Sequence, residues 1–190
     1  MSTKTFHIAL SGGKTVVPFY RALAKSKDTR FKQTEFYIVD ERYVPVTHKE
    51  SNCGMIKKTL ISKIHCKKFH FFDTNISIEK SLKKYEKEVH GKTFDLVVLG
   101  IGEDGHFASI FPHSKAIKTK SPVAHTQTNK FAIKDRLTLT PQIILKSKKI
   151  LVLLKDKPKV VEELKHPKKT PLEFPAHLLK KHSNLKILSL

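Results

Sequence analysis

The chain has only two cysteines and four arginines (Arg21, Arg30, Arg42 and Arg136), and none of its apolar runs approaches membrane-spanning length. Each scarcity excludes something. Cys53 and Cys66 flank a segment with helical apolar spacing and have no metal-ligand spacing, so neither a disulfide framework nor a zinc site is indicated. A reduced compartment fits. Without a stretch of about 20 apolar residues no transmembrane helix is expected. Met1 to Leu10 lack the apolar core and cleavage pattern of a signal peptide. The expectation is a soluble, cytoplasmic protein with no membrane partner.

The shortage of arginine matters because charge is so one-sided: 37 Lys and Arg against 17 Asp and Glu give a formal charge of +20. Such a surplus favours phosphate-bearing partners through counterion release. Planar, bidentate recognition of bases and phosphates nevertheless favours Arg over Lys, and the lysines are spread along the whole chain rather than gathered in an arm. Most of them read as solvated surface. Nucleic acid is therefore not an expected partner, whereas small anions gain from the same field.

With 190 residues, 39% of them hydrophobic, the chain can bury one sizeable core, and a single domain over 1–190 is expected. Phe6 to Leu10 reads as a buried strand. Ser11-Gly12-Gly13 breaks it before Thr15 to Lys25, where Val16, Phe19, Tyr20 and Leu23 recur at helical spacing. Glu35 to Val39 predicts a second strand, followed by a polar loop from Asp40 to His48. A helix then carries Ile56, Leu60, Ile61 and Ile64 on one face. Phe69 to Phe72 predicts a short strand, and a helix from about Ser77 presents Ile78, Leu82, Tyr85 and Val89. Further strands are expected at 94–99, Arg136 to Thr140, Ile150 to Leu154 and Leu185 to Leu190, with a short helix opening at Pro175. Lys165 to Pro171 reads as a basic, proline-marked loop. There is no internal repeat or low-complexity segment. Strands alternating with helices imply an α/β fold: a doubly wound, mainly parallel sheet with helices on both faces, a Rossmann-like three-layer sandwich.

In such a sheet three polar loops lie on one edge, where open α/β folds place ligands. Ser11-Gly12-Gly13-Lys14-Thr15 leads into a helix N-terminus, and its backbone N–H groups with Lys14 and Thr15 form a candidate phosphate site. It is not a P-loop, because Ile8 stands where that pattern needs glycine. Asp40-Glu41-Arg42-Tyr43 packs two carboxylates, a guanidinium and an aromatic ring into four residues. Gly102-Glu103-Asp104-Gly105-His106 follows an apolar run too short and too β-branched for a confident helix. It places a carboxylate two residues from an imidazole, a spacing that lets Asp104 orient His106 as a proton acceptor near neutral pH. His48, His65, His70, His113 and His125 read as surface or loop residues.

Five pieces together carry a resemblance: Ser11-Gly12-Gly13-Lys14-Thr15; Asp40-Glu41-Arg42 with Val44-Pro45 and Ser51-Asn52; Leu99 to Ser109; Phe111-Pro112; and Arg136 to Thr140. In this order, over nearly the whole chain, the sequence resembles 6-phosphogluconolactonases. The related glucosamine-6-phosphate deaminases share Gly-x-Gly-x-Asp-Gly-His but continue differently and have Asp-Glu-Tyr where this chain has Asp40-Glu41-Arg42. The resemblance implies hydrolysis of 6-phospho-D-glucono-1,5-lactone without metal or other cofactor. His106 would activate water and Asp104 would be its partner. Gly12, Gly13, Lys14, Thr15, Asp40, Arg42, Asn52, Arg136 and Lys157 would bind the sugar phosphate, with Asn52 also able to cap the following helix. It further implies a monomer or weak homodimer whose partner is a small sugar phosphate. Three departures accompany it: Lys14 stands where relatives commonly carry Ser, the usual helical segment before the first strand is missing, and a glycine near Leu154 is absent. The rival readings are a sugar-phosphate isomerase or deaminase on the same scaffold and a non-catalytic sugar-phosphate-binding domain. The Asp104/His106 pair and the lack of a helix-turn-helix segment speak against the second.

Overall fold

The computed structural model describes residues 4–190. Strand β1 (Phe6–Leu10) lies in the middle of the main sheet, paired in parallel with β2 (Thr34–Ile38) on one side and β5 (Leu96–Gly100) on the other. Beyond them lie β4 (Lys68–His70), β8 (Ile150–Leu154) and β9 (Leu185–Ser189), giving the order β4-β2-β1-β5-β8-β9 with every pairing parallel. The unbroken apolar runs follow from this position. All five residues of β8 and Val97 to Leu99 of β5 are buried, as strands covered on both faces require.

Parallel strands need crossovers, supplied here by α1 (Val17–Lys25), α2 (Asn52–Thr59), α3 (Ile78–Val89), the single turn α4 (Pro141–Ile144) and α5 (Pro158–Lys165). The order runs outward from β1 through β2 to β4, and from β5 through β8 to β9. The winding therefore reverses between β1 and β5, which makes this the doubly wound sheet expected and puts a crevice at their carboxyl ends. Two buried tyrosines pin helices to that end: Tyr20 of α1 donates to the Ser11 carbonyl and Tyr85 of α3 to the Ile38 carbonyl, each at 2.7 Å.

Several local expectations are corrected. The polar stretch from Asp40 is not all loop: Asp40–Arg42 is strand β3 of a second, antiparallel sheet of order β3-β7-β6, with β6 (Val123–Gln127) and β7 (Asp135–Leu139). Its charged residues have low strand propensity, so pairing with β7 decides their conformation. The strand expected at Arg136 accordingly belongs to this sheet and not to the parallel one, and β6 was not anticipated. The helix expected to reach Ile64 ends at Thr59, because Leu60 leaves the helical region (φ −132, ψ −64), and only a 3₁₀ turn follows. The strand expected at Phe69 to Phe72 is confined to Lys68–His70.

His70 is not a surface residue. It is 6% exposed on β4, its ring stacks on Tyr37 at 4.3 Å, and its nitrogens meet Glu88 Oε2 at 2.6 Å and Glu35 Oε2 at 3.2 Å. Burial pushes the Glu35 carboxyl upward, but hydrogen bonds with Tyr37 and His70 outweigh it and leave it below its ordinary value of 4.5. His70→Phe preserves the stacking and strips the ring partner from both carboxylates. It is expected to cost about 2 kcal/mol in a urea unfolding midpoint at unchanged slope. Because Glu35 is held low, its share of this loss is present at neutral pH and fades as pH falls below 4.5.

Candidate active site

The chain leaves β1 at Ser11, whose N–H donates to the Val98 carbonyl of β5 at 3.0 Å, so the glycine loop stays against the neighbouring strand. Gly13 adopts φ 100, a region that favours glycine, and a 3₁₀ turn starting at Lys14 runs into α1 with no side chain capping it. Gly12 is held in place by space: a Cβ there would lie 1.8 Å from Asn52 Oδ1.

Across the switch point, the loop after β5 folds back on itself through Gly102 N–H to the His106 carbonyl, 2.8 Å. His106 Nδ1 lies 2.5 Å from Asp104 Oδ1, and the His106 backbone N–H donates to the same oxygen at 3.2 Å. A carboxylate at Nδ1 fixes the proton on that nitrogen and leaves Nε2 as the acceptor. Burial pushes the Asp104 carboxyl up, but hydrogen bonds from His106 and Lys130 hold it well below the usual carboxylate range, so it stays ionised. Gly102 gives the imidazole its room, since a Cβ there would sit 2.1 Å from His106 Cε1. Ala108, at φ 51, then turns the chain so that Ser109 is gripped from the second sheet: its Oγ donates to Asp40 Oδ2 at 2.7 Å and its carbonyl accepts from Thr126 Oγ1 at 2.8 Å.

The second sheet brings the guanidiniums. Arg42 and Arg136 are direct partners across the β3/β7 ladder. Arg42 Nη1 donates to the Glu50 carbonyl and to Asn52 Oδ1, both at 2.7 Å, and Arg136 Nε donates to the Ile133 carbonyl at 3.1 Å. Burial, then the Arg42 charge, lower the Arg136 guanidinium's affinity for its proton. Asn52 is the first residue of α2 but not its cap. Ser51 caps the helix, its Oγ accepting from Gly54 N–H, while the Asn52 side chain donates to the Asp40 carbonyl and accepts from Arg42. Beneath them the buried Glu41 carboxylate accepts from the N–H groups of Arg42, Asn52 and Cys53 at 2.7–2.8 Å and from Ser51 Oγ at 3.0 Å.

The glycine loop, the Asp104–His106 couple, Ser109 and the two guanidiniums open onto one cleft of about 510 Å³. Every candidate lines it: Gly12, Gly13, Lys14 and Thr15 after β1; Asp40 and Arg42 on β3; Asn52 on α2; Asp104 and His106 after β5; Arg136 on β7; and Lys157, whose ammonium donates to the Ile101 carbonyl, before α5. Sequence reasoning missed the work of Glu41 and Ser109, although both stand inside quoted motifs. It also missed Lys130 and Phe131, which line the cleft with no local signal to separate Lys130 from the other lysines. Among the described residues no cluster of three His, Cys, Asp or Glu is arranged to hold a metal, and Cys53 and Cys66 are both free. No helix among them is long and apolar enough to cross a membrane.

Residues 1–187 match the family profile described as glucosamine-6-phosphate isomerases/6-phosphogluconolactonase. A 6-phosphogluconolactonase of Thermotoga maritima is 37% identical over 91% of this chain and 79% of its own length. One from Borreliella burgdorferi is 32% identical over 96% and 82%. The crystal structure of a Thermotoga maritima 6-phosphogluconolactonase superposes with a TM-score of 0.87 at 32% identity, covering 100% of this chain and 87% of that one.

Burial pushes the Glu41 carboxyl up to about 6, against the hydrogen bonds that draw it down. The folded protein therefore holds this proton more tightly than the unfolded chain does. The resulting stabilisation is fully present below pH 4.5 and is lost as pH rises through about 6. Relative to Glu41→Gln, the parent protein is expected to lose roughly 2 kcal/mol of stability across that window, read from denaturant midpoints at its two ends. A difference that stays flat would show that Glu41 does not titrate there.

Proposed function

The chain belongs to the glucosamine-6-phosphate isomerase/6-phosphogluconolactonase family, and from this we propose that it hydrolyses 6-phospho-D-glucono-1,5-lactone to 6-phosphogluconate, the ring-opening step of the oxidative pentose phosphate route, in the cytoplasm and as a monomer or weak homodimer. The observation that carries the reading is the pairing of Arg42 with Arg136 in the same cleft as the Asp104–His106 couple. Like charges directly opposite on a ladder repel, and a phosphate dianion bound beside them turns that cost into attraction. Among the described residues their donors go to Glu50, Asn52 and Ile133, which leaves both Nη groups of Arg136 for a ligand. Guanidinium forks suit phosphate oxygens better than ammonium groups do.

With the phosphate held there and Gly12 to Thr15 lining the same cleft, the lactone carbonyl is presented to His106. Water adds to C1 as its proton passes to Nε2, and Asp104 stabilises the imidazolium that forms. The carbonyl pair moves onto oxygen, and the cations of the cleft, Lys157 among them, stabilise that charge. Collapse re-forms the carbonyl and breaks the bond from C1 to the ring oxygen, which takes the proton back from Nε2 as the 5-hydroxyl. The new carboxylic acid ionises. No covalent nucleophile is needed, because an ester carbonyl is already electrophilic and a positioned base suffices.

The test is turnover of freshly made lactone coupled to 6-phosphogluconate dehydrogenase, with spontaneous opening subtracted. His106→Ala is expected to lower kcat by about 10²- to 10⁴-fold while leaving phosphate-ester binding largely intact; equal loss of binding would make His106 structural. Arg136→Ala is expected to raise KM by roughly 10- to 100-fold, the worth of a charged hydrogen bond, and an unchanged KM would remove it from the phosphate site. Ammonia released from glucosamine 6-phosphate, without lactone turnover, would move the assignment to the deaminase side of the family.

A further inference from the structure

The connection from β6 to β7 carries a contact that the mechanism above leaves unused. Lys130 Nζ donates to Asp104 Oδ2 at 2.7 Å, while Oδ1 of the same carboxylate holds His106 Nδ1. The two oxygens are thus divided between an ammonium and an imidazole. The next residue, Phe131, is 45% exposed; its ring stands edge-on to the His106 ring at 6.0 Å and lies 5.4 Å from the Arg136 guanidinium carbon. The hairpin therefore reaches from the strand that bears Arg136 to the loop that bears the catalytic pair. Its own shape is set locally by Thr128 N–H to the Lys134 carbonyl and Lys130 N–H to Thr128 Oγ1, both 3.2 Å.

An ion pair whose lysine is 59% exposed adds little to folding stability. Its effect on the imidazole is a different matter. Without Lys130 the Oδ1 contacts to the His106 backbone N–H and Nδ1 would remain, but Oδ2 would lose the bond that resists rotation about χ2, and the full carboxylate charge would favour the protonated imidazole that cannot act as a base. An ammonium on Oδ2 fixes which oxygen faces Nδ1 and offsets part of the carboxylate charge. The other charged groups around the couple are Glu103 on its own loop, Lys14 after β1, Asp40 and Arg42 on β3, Arg136 on β7 and Lys157 before α5. Among the described residues, Lys130 is the cation that bonds Asp104.

We propose that Lys130 is a positioning residue that acts through Asp104, locking the carboxylate to Nδ1 of His106 and keeping Nε2 unprotonated to lower pH than Asp104 by itself would allow. The proposal rests on the lactonase reading for its kinetic consequence, but its structural core does not depend on which substrate is used.

Lys130→Met and Lys130→Arg test it. In Lys130→Met the acid limb of the kcat/KM profile is expected to move up by about half a pH unit or more, with kcat down severalfold and KM within about twofold. Lys130→Arg is expected to restore both, and the melting temperatures of all three proteins to agree. An unshifted profile would overturn the proposal and leave a surface ion pair; a change in KM alone would also overturn it, making Lys130 a substrate contact. The same shift is read without substrate from the titration of the His106 Cε1–H resonance, assigned by its loss in His106→Ala. If lactone turnover is absent from the parent protein, that titration still decides: movement in Lys130→Met upholds the coupling while the activity assignment fails, and no movement overturns it.

Discussion

The pairing of β1 with β5 is the constraint on which the site depends. Ile8, Ala9 and Leu10 lie opposite Leu96, Val97 and Val98, and this register brings the glycine loop after Leu10 beside the loop that ends in His106. Adjacent parallel strands force their carboxyl ends to open on the same side, and the reversal of winding between them keeps that end free of crossover helices. Residues far apart in sequence therefore share a cleft because the strands beneath them are apolar enough to be buried.

The second sheet supplies what the parallel sheet lacks. A parallel edge can offer backbone N–H groups and helix ends but does not by itself bring two guanidiniums together. The antiparallel ladder of β3 and β7 does so, and it is fastened to the loop after β5 through Ser109, which bonds Asp40 and Thr126. The ladder that bears both guanidiniums and the loop that bears His106 are thus joined by one serine, whose hydroxyl is given to Asp40. The Asp40 carboxylate has two tasks here: it lines the cleft and it anchors the loop that bears His106.

Buried charge in this protein is spent on alignment. Glu41 gathers four donors from Arg42, Ser51, Asn52 and Cys53, and so sets the start of α2, the orientation of Asn52 and, through it, the Arg42 guanidinium. Such a carboxylate stabilises the fold weakly, since desolvation opposes its hydrogen bonds, but it fixes geometry that solvent-exposed groups would leave loose. The cluster of His70 with Glu35, Glu88 and Tyr37 has the same character at the β4 side of the sheet.

Local sequence determined the buried strands, the apolar faces of α1 and α3, and the three loops bearing chemistry, because each is written in short-range pattern: apolar runs, helical spacing, glycine next to charge. It could not place Asp40-Glu41-Arg42 in a strand, since those residues are extended only through a ladder with a segment almost a hundred residues away. It could not bury His70, whose partners come from β2 and α3, or separate Lys130 from the other lysines, because an ammonium gains a role only when a fold sets a particular carboxylate 2.7 Å from it. Composition and periodicity thus fixed the class of fold and the residue types available for catalysis. Which charges face one another was decided by tertiary structure, since electrostatic energy depends on distance and burial, and neither exists until the chain has folded.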